Sequence, residues 1–553
     1  MTTSAHPATP PPTLLRDVLL PGAATTRDLL LREGRVAAVL ASGEDPGPVE
    51  VVDGGGRWAL PGFVDAHVHG EAAVLDPEVQ LAMLRQGVTT VVLGQDGVSL
   101  APSPTYAPHD ATAWAQQYFA AINGAHPTFT GGGVGELLAS WDGRTALNTA
   151  YLAPHGTIRV AVMGTEQREA APGEVAAMAA LLEQALADGA CGLSTGLEYA
   201  PASAATREEL LALCRVVAAA GLPHVSHMRG YEAQATAGLQ ELVELTLASG
   251  VTTHVSHLHG PRRQVEAALA HAAAAGVELS FDSYPYLSGC SILSMVALPR
   301  WVPTADPDHA LAVLAPAAGG TARRDELLAH LEASTELWPR VRLAAVPGEL
   351  SWTEGLSPVE VADRLGCSTA EAVLRLLVSS RLRATVVFRQ PPTNTPEAVR
   401  ALLDSPRHLG GSDAIYLGSS PHPRGWGAFA RMVALGLHEL GGWDARDVVE
   451  HLSARAARLF RLGPRGHLEP GAVADVVLLD PERVRDLATY RSPRQLAEGV
   501  DDVWVGGVPV LRDGRLTGAT PGRAIRPTSP SATSPSPTSP SATTGRPAQE
   551  AAR

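Results

Sequence analysis

The middle of the chain repeats one pattern of apolar and polar positions. A stretch rich in Ala and Leu ends in Gly, a short β-branched run follows, and polar residues close the unit. Residues 81–86 end at Gly87 and lead into 88–96; residues 175–188 end at Gly189 and lead into 190–197. Residues 210–220, 239–249 and 265–275 end at Gly221, Gly250 and Gly276, and lead into 223–227, 251–257 and 277–282. A Gly just past a helix is the left-handed stop signal, and alternation of helix and strand at about 30 residues per unit is the rhythm of a parallel sheet. The pattern predicts an α/β fold, a (β/α)8 TIM-type barrel over 61–465. An open doubly wound sheet is the rival, and no glycine fingerprint supports it. The span exceeds the roughly 250 residues of a bare barrel. An insertion is therefore expected within about 297–380, where Pro-, Trp- and Asp-rich loops break the rhythm.

The two ends read differently. Residues 14–60 are short alternating pieces punctuated by Gly34, Gly43, Gly47 and Gly54 to Gly56, and a similar composition returns over 466–520. Both read as small antiparallel β structure, and the two are expected to pair into one small β-sandwich domain built from both chain ends. Residues 1–13 and the Pro/Ser/Thr-rich stretch 521–553 are expected to be disordered.

Charge and composition narrow the function. Lys+Arg total 43 against 57 Asp+Glu, a formal charge of −14, so no basic face for nucleic acid is expected. No run is long and apolar enough for a bilayer, and no basic-then-apolar leader opens the chain, which leads to an expectation of a cytoplasmic protein with no membrane partner. The four cysteines are widely spaced, without a C-x-x-C. No lysine occurs anywhere; every basic residue in the count of 43 is Arg. Schiff-base chemistry and a carbamylated lysine between two metals are thereby excluded.

Candidate chemistry lies at the strand ends. In Phe63-Val64-Asp65-Ala66-His67-Val68-His69, the two histidines are two positions apart on a predicted strand, so both imidazoles aim to one side. His227 and His257 are one repeat apart, each at the C-terminal end of its strand, and Asp96 and Asp413 (in Gly411-Ser412-Asp413) hold the same relative place. The C-terminal rim is where such barrels put their chemistry. Four imidazoles and two carboxylates there suit zinc, with a position open for water. His224, His254 and His259 are read as loop or supporting residues.

With these residues in view, the chain resembles the amidohydrolase superfamily, and within it the N-acyl-D-amino-acid deacylases. The resemblance covers about residues 14–520. It is carried by the histidine pair, by Leu193-Ser194-Thr195-Gly196-Leu197-Glu198-Tyr199-Ala200-Pro201, Ser226-His227-Met228-Arg229, Ser256-His257-Leu258, Asp282-Ser283-Tyr284-Pro285-Tyr286, Gly411-Ser412-Asp413 and Pro421-His422-Pro423-Arg424-Gly425. It implies a metal-dependent barrel that hydrolyses a linear amide, removing the acyl group from an N-acyl-D-amino acid, with one or two Zn2+ ions per chain. His227, His257 and Asp96 would hold zinc, with His67 and His69 in the same site or at a second position. Asp413 would act as ligand and proton shuttle, and Arg424 and Tyr284 would bind the substrate carboxylate. The sequence departs from the family twice: Asp96 replaces a cysteine, and His259 replaces a lysine at a substrate-binding position. Glu198 and Tyr199 are expected to line the pocket at most. The expected partner is a small N-acyl amino acid, and a homo-oligomer is left open. The alternatives are a ring substrate, as for a deaminase or cyclic-amide hydrolase, and a metal-free non-enzymatic relative.

Overall fold

The computed structural model describes residues 11–315, 321–439 and 442–529. Among them, eight parallel strands follow chain order around a closed barrel. They are Phe63–Asp65, Val88–Leu93, Asn148–Tyr151, Leu193–Gly196, Pro223–His227, Thr252–Val255, Ser280–Ser283 and His408–Gly410. The third continues as Ala153–Pro154 to reach the fourth. Closure is made by backbone. Ala66 N–H donates to Gly410 O (3.0 Å), Asp413 N–H donates to His67 O (2.7 Å), and Ala414–Ile415 pairs in parallel with Val68–His69. This seam brings the histidine pair beside Asp413, although they are more than 340 positions apart in sequence.

Local chemistry starts and stops the outer helices. Asp76 caps Pro77–Leu84, Thr206 caps Arg207–Ala219 and Thr395 caps Pro396–Leu403, each side chain accepting a first-turn N–H. Ala235–Ser249 stops at Gly250, whose φ of 74° is open to glycine without strain and whose N–H returns to Thr246 O.

The insertion has its own core. Antiparallel strands Ser288–Ile292, Val341–Ala345 and Thr385–Arg389 pack with helices Pro307–Leu314, Pro358–Leu365 and Thr369–Ser379 around Leu293, Leu343, Val361, Leu377 and Val386. It starts before 297 and ends after 380, because its first strand begins at Ser288 and its last ends at Arg389.

The chain ends form two sheets. One orders Arg35–Leu40, Arg27–Arg32, Thr13–Val18 and Glu50–Asp53; the other orders Arg515–Leu516, Val508–Arg512, Val500–Val505, Val476–Leu479 and Trp58–Pro61. Their shared core of Leu15, Leu29, Val36, Ala474, Val476 and Trp504 makes the small β-sandwich. Two boundaries differ from the expectation. Thr13 already belongs to a strand. Residues 521–529, expected as tail, instead run along the barrel: Gly522 N–H donates to Thr145 O, Ile525 N–H to Thr149 O, and buried Ile525 joins Val64, Ala150 and Phe460. Ordinary backbone pairing and one apolar side chain suffice to order a stretch whose composition is tail-like. The rest of the expected disordered termini, residues 1–10 and 530–553, lies outside the described residues. No helix among the described residues is long and apolar enough to cross a membrane.

Candidate metal centre

The site sits at the C-terminal rim, where the first, second, fifth, sixth and eighth strands deliver His67, His69, Asp96, His227, His257 and Asp413 to one place. All six are buried. Asp96 lies between two groups of donors, His67 and His69 on one side and His227 and His257 on the other. Its Oδ1 is 3.6 Å from His67 Nε2, and its Oδ2 is 3.5 Å from His69 Nε2, 3.7 Å from His227 Nδ1 and 3.6 Å from His257 Nε2. Asp413 Oδ1 stands 3.7 and 3.4 Å from Nε2 of His67 and His69.

These separations are long for hydrogen bonds but natural for ligands sharing an ion. Two N and O donors about 2.1 Å from tetrahedral zinc lie roughly 3.4 Å apart. His67 Nε2 and Asp96 Oδ1 are moreover buried without any hydrogen-bond partner, which a folded protein rarely tolerates unless something else satisfies them. The donor set therefore fits a binuclear-type His/Asp metal site, with Asp96 as the shared carboxylate.

The backbone is bent to make this arrangement. Asp96, His257 and Asp413 all take positive φ (55°, 34° and 50°), conformations that non-glycine residues hold only where the surroundings enforce them. The Asp96 turn packs so tightly on the fourth strand that a Cβ on Gly196 would lie 2.0 Å from Asp96 O.

The imidazoles are held from behind. Asp282 Oδ2 is 3.4 Å from His67 Nδ1 and 3.0 Å from His254 Nε2, while its Oδ1 accepts the His257 backbone N–H at 2.8 Å. Asn123 Oδ1 is 3.2 Å from His69 Nδ1, and Glu198 Oε2 is 2.9 Å from His227 Nε2. Asp65 takes Ser412 N–H (2.9 Å), Ser412 O–H (2.5 Å) and His67 N–H (3.2 Å), tying the first strand to the eighth. Sequence reading assigned no role to Asp282, Asn123 or Asp65. Asp65 and Asp282 carried a signal, as acids at strand ends on the same rim; Asn123 carried none.

Arg424 begins helix Arg424–Ala434 and is fully buried. Its Nη1 stands 2.8 Å from Asp413 Oδ2, an ion-pair distance, yet no N–H points along it, and all three guanidinium nitrogens lack a hydrogen-bond partner. Tyr284 lies beneath, its ring centroid 4.6 Å from Cζ. Burial would raise the Asp413 carboxyl, but Arg424 and the neighbouring imidazoles outweigh it and hold it down at about 2. His259 stacks on Tyr231 at 4.8 Å, its Nδ1 2.9 Å from His257 O and its Nε2 3.7 Å from Glu232 Oε1. It lines the cleft with Tyr284, Gln390 and Asn394.

The sequence pattern of the amidohydrolase family matches residues 50–511. A D-aminoacylase of Alcaligenes xylosoxydans xylosoxydans is 30% identical over 91% of this chain and 94% of its own length. An N-acyl-D-glutamate deacylase of the same organism is 30% identical over 92% and 94%. The crystal structure of N-acyl-D-glutamate deacylase from Bordetella bronchiseptica, complexed with zinc and a phosphonate inhibitor that mimics the tetrahedral intermediate, superposes with a TM-score of 0.76. It is 28% identical, covering 93% of this chain and 99% of that one. With a barrel rim carrying the metal-ligand cluster and likeness over nine-tenths of its length, the chain belongs to the amidohydrolase family, among the relatives of the N-acyl-D-amino-acid deacylases.

Proposed function

We propose that this protein is a zinc-dependent hydrolase that removes the acyl group from N-acyl-D-amino acids. The observation that carries the reading is Arg424: a buried guanidinium with no hydrogen-bond partner, beside a buried cluster of metal-ligand type. A buried charge without hydrogen bonds is costly, and a planar carboxylate is the group that would satisfy it bidentately. One carboxylate at Arg424 and one acyl carbonyl at the His/Asp cluster describe an N-acylated amino acid. The D configuration is supported by the relatives alone.

His67, His69, Asp96, His227 and His257 would hold one or two divalent ions, which would supply the Lewis acidity that activates water and polarises the acyl carbonyl. Asp413 takes the proton from the attacking water and delivers it to the leaving amine nitrogen. Arg424 has two tasks, because its guanidinium neighbours the same Asp413 carboxylate. A substrate carboxylate that engages Arg424 draws it from Asp413 and so frees that oxygen for the proton. Tyr284 holds the guanidinium in place from below.

The groups nearest Arg424 are aromatic, which suits an uncharged amino-acid side chain. The rings of Tyr286 and Tyr490 each lie 5.2 Å from His422, and Tyr284 lies 6.2 Å from it. His422 is a neutral imidazole: its Nδ1 accepts the Arg424 N–H at 3.0 Å and its Nε2 lies 3.0 Å from Ser288 O. The other fully buried arginine among the described residues, Arg159, pairs with Glu209, and the chain has no lysine. A second substrate carboxylate would find no second buried cation.

The test is Arg424→Ala assayed on an N-acyl-D-amino acid and on its methyl ester. The acid should lose about 2–5 kcal/mol of transition-state stabilisation and the neutral ester far less. Equal losses on both would refute the clamp.

A further inference from the structure

An imidazole is held with its lone pair inward when the proton on its other nitrogen has an acceptor, and three of the four imidazoles of the centre, all but His257, have a side-chain acceptor there. For His67 that nitrogen is Nδ1, 3.4 Å from Asp282 Oδ2; for His69 it is Nδ1, 3.2 Å from Asn123 Oδ1. Both acceptors are buried. His227 is turned the other way. Its Nδ1 faces the centre, 3.7 Å from Asp96 Oδ2, 3.0 Å from His257 Nε2 and 3.2 Å from the Tyr199 hydroxyl. Its Nε2 points outward and meets Glu198 Oε2 at 2.9 Å.

Glu198 stands two positions past the fourth strand, and 43% of its side chain is exposed. It is thus the one holding group of the three that solvent reaches. We propose that Glu198 is a positioning residue, which accepts the Nε2 proton of His227 and so fixes the tautomer in which Nδ1 is the metal ligand. An ionised carboxylate in this place also makes the imidazole a more basic donor, because it stabilises positive charge on the ring. Tyr199 helps from the other side, since its ring lies 4.5 Å from that of His227 and limits how far the imidazole can swing. The proposal rests on the cluster being a metal centre and is independent of which amide is hydrolysed.

The experiment loads the full chain with zinc and measures zinc affinity by competition with a chromophoric chelator, for the parent, Glu198→Gln and Glu198→Leu. Glutamine keeps an acceptor oxygen and removes the charge; leucine keeps the bulk and removes both. Glu198→Leu should weaken the position shared by Asp96, His227 and His257 by about 10–100-fold, with Glu198→Gln between it and the parent. The melting temperature of the metal-free forms should be unchanged, as Glu198 lies partly in solvent. Glu198→Ala repeats the comparison if the leucine variant does not fold. Zinc held as tightly by the leucine or alanine variant as by the parent would overturn the proposal. Equal losses in the glutamine and leucine variants would overturn it too, because the accepted proton would then play no part.

Discussion

Asp96 shows how much one side chain carries here. Its two oxygens lie within 3.7 Å of four imidazoles, and burial, which would favour the protonated acid, is overcome by that ring of imidazoles, so the carboxyl sits well below its usual range. A shared carboxylate has a consequence that a loop residue would not: Asp96→Ala should lower zinc at both positions. Asp96→Cys should retain zinc, because a thiolate can take the same bridging place. Zinc content measured after gel filtration checks this, and an alanine variant with unchanged zinc would reduce Asp96 to a turn residue. At this scale the donors were legible, because strand spacing and repeat position suffice to align His67 with His69 and His227 with His257. Asp282, Asn123 and Glu198 were not, since each is defined by the far nitrogen of an imidazole on another strand. His259, whose place in the sequence suggested the substrate, lines the cleft and also stacks on Tyr231, with its Nε2 3.7 Å from Glu232 Oε1.

Among the elements, the turn Gln95–Gly97 and the fourth strand are built against each other. Gly196 leaves room for Asp96 O, and a Cβ on Gly97 would fall 2.5 Å from Gly196 N. Gly196→Ala would therefore push the turn carrying Asp96 off its strand, at roughly 1–3 kcal/mol. Both the melting temperature of the metal-free protein and its zinc affinity should fall; if neither moves, the close approach does not position the ligand. Strands were readable where β-branched runs followed a Gly stop. The third, Asn148–Tyr151, was not: Asn148-Thr149-Ala150-Tyr151 has no apolar run, the Asn148 side chain bonding Asp475 and the Thr149 backbone pairing with the C-terminal segment. The insertion was expected from excess length, but its first and last strands, Ser288–Ile292 and Thr385–Arg389, lie outside the expected bounds, since length alone does not say where an insertion begins and ends.

For the whole molecule, the barrel and the β-sandwich depend on the two chain ends meeting, and the segment after the sandwich returns to the barrel. Ile525, 7% exposed, fills that contact. Ile525→Ala should cost about 2–5 kcal/mol, read as a lower denaturation midpoint; an unchanged midpoint would make the segment a loose appendage. Composition could not reveal this, because nothing in a Pro- and Thr-rich stretch distinguishes a chain that pairs from one that does not. The central claim, that the His/Asp cluster and Arg424 together hydrolyse an N-acyl-D-amino acid, is tested most directly by one assay. Amine release from N-acetyl-D-methionine and N-acetyl-L-methionine is measured with zinc-loaded, chelator-stripped and zinc-restored protein. The account predicts turnover of the D substrate over the L, lost on stripping and recovered with zinc; full activity in the stripped protein, or faster turnover of the L substrate, would contradict it.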